Sequence, residues 1–66
     1  MMEQIPRRLK IYRQKSGLSQ VEVAEKLHIH VLDVIEWEKG KKLPNMDQFA
    51  KLSQLYDTSC DELLIF

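Results

Sequence analysis

The sequence predicts an all-α fold of five short helices in one domain spanning residues 1–66. Its two glycines and two prolines stand where helices begin or end rather than in hairpin turns. Two Ser-x-x-Glu segments, Ser19 to Glu22 and Ser59 to Glu62, have the form of capping boxes, in which a hydroxyl and a carboxylate satisfy free amides at a helix start. Between these marks the apolar residues recur at helical spacing. A chain of this length has room for one small core.

Pro6 suits the first turn of helix 1 and Gly17 the position just past its end, with Ile5, Leu9 and Tyr12 as the apolar stripe. Ser19 opens helix 2, which runs to about Leu27, and His28-Ile29 makes the turn. Helix 3 runs from about Val31 to Lys39 and stops at Gly40. Val23, Ala24, Leu27, Ile29, Val34 and Trp37 are the small and apolar residues that two short helices crossing steeply require, with Ala24 at their closest approach. Pro44-Asn45 caps helix 4, whose core residues are read as Met46, Phe49, Leu52, Leu55 and Tyr56. The box at Ser59 opens a short helix 5 bearing Leu63 and Leu64.

The segment from Gln20 to Lys39, QVEVAEKLHIHVLDVIEWEK, resembles the DNA-binding helix-turn-helix of the phage-repressor/Cro type, also called Xre-like. LKIYRQKSGLSQ, AEKL, IEWEKGKKLPN and the closing DELL fall in the family's register and order, so the resemblance covers nearly the whole chain. It implies a compact five-helix repressor-type domain and a sequence-specific DNA-binding transcriptional regulator, in the first place a repressor. Family members usually carry Gly where His28 stands, and a non-Gly residue in a left-handed conformation costs ~1 kcal/mol. Arg13 and Glu38 match positions where members often join helix 1 to the end of helix 3 by an ion pair. Ser19 and Gln20 match phosphate-contacting positions, and Lys39, Lys41 and Lys42 match the loop after the recognition helix.

Charge complicates this picture. Ten basic and ten acidic residues cancel, so the overall positive charge of most nucleic-acid binders is missing. The distribution is uneven: Arg7, Arg8, Lys10, Arg13 and Lys15 precede the motif, Lys39, Lys41 and Lys42 follow it, and five acids lie between. At about 100° per residue, Val31, Leu32, Ile35, Glu36 and Lys39 share an arc of about 140°, with Val34 and Trp37 on the opposite side. Helix 3 is therefore apolar on both sides, and an exposed apolar patch is usually functional.

Two partners fit that face. Against duplex DNA, His30, Val31, Leu32, Ile35 and Glu36 would meet base edges, the apolar groups against thymine methyls and Glu36 against a cytosine amine. Ser19, Gln20, Lys39, Lys41 and Lys42 would hold phosphates. The alternative is a helix-turn-helix repurposed for protein–protein interaction, antirepressor- or antitoxin-like, with helix 3 as the docking face. The C-terminal Leu64, Ile65 and Phe66 exceed what a short last helix buries, so they are expected in a homodimer contact. A two-fold dimer would set two copies of helix 3 about 34 Å apart, one turn of DNA.

No enzyme, cofactor or metal site is expected. Cys60 and the histidines form no recognisable nucleophile–base pair, and His28-x-His30 with Asp33 falls short of the four ligands of a structural zinc site. One cysteine, no spanning apolar run and no signal-peptide pattern are read as a cytoplasmic protein without membrane contact.

Overall fold

In a computed structural model, residues 4–64 are described, and they form the helices α1 (Gln4–Lys15), α2 (Gln20–Leu27), α3 (Val31–Lys39), α4 (Met46–Leu55) and α5 (Cys60–Leu64). Each boundary has a local cause. α1 ends where Gly17 takes φ +73, a left-handed turn that lets the Leu18 amide donate back to the Arg13 carbonyl at 3.3 Å. α2 opens on the reciprocal box of Ser19 and Glu22 and closes on His28 at φ 58, so the strained turn expected there is present. α3 stops at Gly40, also left-handed at φ 79; a Cβ there would lie 3.3 Å from the Pro6 ring of α1, so this glycine serves both turn and close approach. α4 starts on a second reciprocal box, Asn45 with Gln48.

The core draws Ile5 and Leu9 from α1, Val23 and Ala24 from α2, and Val34 and Trp37 from α3. Phe49 and Leu52 of α4, Tyr56 at its C-cap and Leu63 of α5 complete it. α3 packs against both α2 and α1, which fixes its inward side, while α5 closes the end between α1 and α4.

Two expectations are corrected. Met46 is 68 % exposed and is no part of the core: it is the first residue of α4, and burial along the stripe begins at Phe49. The Ser59–Glu62 box is only half formed. Glu62 donates its amide to Ser59 Oγ at 3.2 Å, but its carboxylate instead accepts from Tyr12 Oη at 3.0 Å and pairs with Arg8 at 3.8 Å, tying α5 to α1. Of the three residues expected in a dimer contact, Leu64 is half-buried and packs partly on the chain's own core, and Ile65 and Phe66 lie outside the described residues.

Candidate nucleic-acid interface

The first turn of α2 is one edge of the surface. Ser19 Oγ accepts from the Glu22 amide at 3.0 Å and the Ser19 amide donates to Glu22 Oε1 at 2.8 Å. That contact holds the Glu22 carboxyl below the usual carboxylate range, the Ser19 backbone amide being the main cause. The amides of Gln20 and Val21, one turn short of an intrahelical acceptor, stand at the positive end of the helix dipole.

A polar node sets this edge beside the end of α3. Arg13 grips Glu38 in a two-pronged pair, Nε to Oε2 at 2.7 Å and Nη2 to Oε1 at 3.0 Å, and its Nη1 donates to the Leu18 carbonyl at 2.9 Å. The two side chains are 11 % and 4 % exposed, so this is an enclosed pair rather than a surface one. Its hydrogen bonds to Glu38 raise the Arg13 pKa further, against the opposing effect of burial. Gln20 Nε2 joins the same carboxylate at 3.1 Å, which commits the side chain assigned from sequence to a phosphate. Tyr56 sits against the pair, and burial pushes its phenol up.

Helix α3 turns a narrower apolar face outward than its sequence suggests. Lys39, nearest the centre of the arc, is exposed, and Leu32 beside it is 58 % exposed. Ile35 and Glu36 are half-buried. Val31 is corrected: it lies at the arc's edge nearest Val34, is half-buried and packs on the core, so it is not part of the free patch. His30 is the N-cap residue of α3 by its backbone, yet its side chain makes no cap bond, and the imidazole is left exposed.

The lysines after α3 divide into two kinds. Lys39 and Lys41 are exposed. Lys42 instead folds back onto α3, hydrogen-bonded to Asp33 and 3.5 Å from Glu36 Oε1. The ammonium holds the Asp33 carboxyl below its ordinary range, and its own pKa is raised mainly by Asp33. Sequence reading missed both the Gln20–Glu38 contact and this one. The second had a visible signal: two acids three residues apart on one helix, followed across a glycine turn by a basic loop.

Among the described residues no helix is long and apolar enough to cross a membrane. The sequence pattern of the helix-turn-helix family matches residues 9–63. The chain is similar to the HTH-type transcriptional regulator ImmR of Bacillus subtilis, 45 % identical over 58 residues, covering 88 % of this chain and 46 % of that protein. It is similar also to the HTH-type transcriptional activator BcrR of Enterococcus faecalis, 33 % identical over 57 residues, covering 86 % of this chain and 28 % of that protein. An HTH-type transcriptional regulator of Archaeoglobus fulgidus is 29 % identical over 59 residues, with 89 % of this chain and 84 % of that protein covered. The chain thus spans less than half the length of the first two. With its five helices, its capped turn and this match over most of its length, the chain belongs to the helix-turn-helix family, in the phage-repressor, Cro-like form.

Proposed function

We propose that this chain binds duplex DNA sequence-specifically and regulates transcription as a homodimer. One observation carries the reading: the Gln20–Glu38 contact at 3.1 Å sets the first turn of α2 next to the end of α3, where Lys39 and Lys41 emerge, while Leu32 is exposed in the first turn of the same helix. Anion-binding amides, exposed ammonium groups and a small reading face then lie along one surface, as a phosphate backbone flanking a major groove requires. Ser19, the α2 amides, Lys39 and Lys41 hold phosphates in this reading. His30, Leu32, Ile35 and Glu36 face bases. Helix α3 has nine residues, so one copy covers only a half-site, and a two-fold pair matches an inverted repeat. Control of transcription by occupying a promoter follows from such binding. Three similar proteins bear names of transcriptional regulators or activators, which supports the same direction.

The test is fluorescence anisotropy of the protein against a randomised duplex pool at increasing salt, with sequencing of the bound fraction. An enriched inverted repeat and affinity falling steeply with salt are expected. Lys39→Ala and Lys41→Ala should each weaken binding on every sequence and lower the salt slope by about one. Absence of binding at low salt refutes this function and leaves Leu32 as the centre of a protein-docking face.

A further inference from the structure

We propose that Lys42 is a positioning residue for sequence readout, holding the Glu36 carboxylate where it accepts a hydrogen bond from the exocyclic amine of a cytosine. The proposal rests on the DNA-binding reading above and departs from the phosphate-binding role that the basic loop suggests for all three of its lysines.

The geometry separates Lys42 from its neighbours. Asp33 and Glu36 stand three residues apart on α3, about 60° around the helix, so their carboxylates crowd one shoulder of the outward face. The chain then reverses: Gly40 is left-handed and the Lys41 amide donates back to the Glu36 carbonyl at 2.9 Å. That reversal delivers the Lys42 ammonium between the two acids, bonded to Asp33 and 3.5 Å from Glu36. The lowered Asp33 and raised Lys42 pKa values agree with this geometry. Among the described residues, Lys39 and Lys41 make no ion pair, so the loop offers cations for phosphate without Lys42.

A carboxylate on a reading face carries two liabilities, and Lys42 addresses both. Left alone, Asp33 and Glu36 put two negative charges next to the phosphates; one ammonium between them halves that repulsion. A free Glu side chain also samples many rotamers, whereas an acceptor for a cytosine amine must be held in one place. With its two half-buried carboxylate partners, the Lys42 side chain supplies that restraint.

The test compares Lys42→Ala, Lys42→Arg and Lys41→Ala on the selected operator and on its single-base variants, across a salt series. Both positions are exposed to solvent, and far-UV circular dichroism verifies that each variant folds. Lys42→Ala should reduce the preference for cytosine at one position per half-site about fivefold, the lower end of what a base contact discriminates, with the salt slope unchanged. Lys42→Arg should restore the preference, and in a Glu36→Gln background Lys42→Ala should leave base preference where Glu36→Gln alone sets it. Lys41→Ala should do the opposite, lowering the slope and sparing the preference. A slope lower by about one in Lys42→Ala, with base preference intact, makes Lys42 a phosphate ligand and overturns the proposal alone. A wild-type operator without a cytosine preference that depends on Glu36 also overturns it. If the wild type binds no duplex, the DNA-binding reading and this proposal fall together.

Discussion

Replacing either member of the Arg13–Glu38 pair should be among the most damaging single changes in this chain. Glu38 accepts three hydrogen bonds, two from Arg13 at 2.7 and 3.0 Å and one from Gln20 at 3.1 Å, with its side chain 4 % exposed. In Glu38→Leu the guanidinium stays nearly enclosed and loses its counter-charge, at a cost of about 3–5 kcal/mol. A 66-residue domain has roughly 3–10 kcal/mol of total stability, so this variant should lose about a third of it or more. At about 4–8 °C per kcal/mol for a domain of this size, even a 3 kcal/mol loss lowers Tm by roughly 12–24 °C. Arg13→Met should be about as severe, because it leaves the buried carboxylate with only Gln20. The double variant Arg13→Met/Glu38→Leu removes both charges together and should cost far less than the two singles added, giving a coupling of several kcal/mol. Urea unfolding followed by Trp37 fluorescence measures all four proteins; Trp37 is 2 % exposed and reports the core directly. Single losses below about 1 kcal/mol, or losses that simply add, would refute the reasoning and class the pair with exposed ion pairs.

His28→Gly should stabilise the domain by about 0.5–1 kcal/mol, since φ 58 is strained for histidine and free for glycine; a higher urea midpoint at unchanged m-value checks it. Glu22 has its pKa lowered by folding, so its contribution to stability is full above the usual glutamate pKa and lost as pH falls through the lower folded value. Urea midpoints of wild type and Glu22→Gln should therefore differ most at neutral pH and converge in acid, the box geometry being open to Gln as well. Met46→Lys should change stability by less than about 0.5 kcal/mol, against the several kcal/mol expected of a core methionine, as its exposure predicts.

Sequence made the helices legible because their ends are local chemistry. Ser19, Gly17, Gly40 and Asn45 each act within four residues of themselves, and the helix boundaries fall where these residues placed them. Periodicity was a weaker guide at the ends of a stripe. Met46 and Val31 both lie on the stripes drawn from spacing, but which end of a stripe is covered depends on neighbours far along the chain. The misread contacts share that origin. Glu62 was read as a capping carboxylate for a residue three positions away, whereas its partners Tyr12 and Arg8 lie 50 and 54 positions away. Gln20 and Lys42 were read as free for phosphate, and each is engaged by an acid on α3, 18 residues away for Gln20 and nine for the Lys42–Asp33 bond. Chain spacing cannot report the Glu62 and Gln20 pairs, because they exist only after α1, α2, α3 and α5 have packed, whereas the Lys42–Asp33 pair closes within α3 and the loop that follows it.

The enclosed Arg13–Glu38–Gln20 node also separates what holds this domain from what it shows to a partner. The node joins α1, the start of α2 and the end of α3 without using Leu32 or Lys39, which point away from the core. Those two positions can be exchanged for other side chains with little effect on folding, while the angle at which α3 is offered stays the same. The domain is accordingly a chassis for retargeting: a different residue grafted at 32 should redirect recognition, and one at 39 should shift affinity on every sequence alike, in a protein that still melts where the parent does.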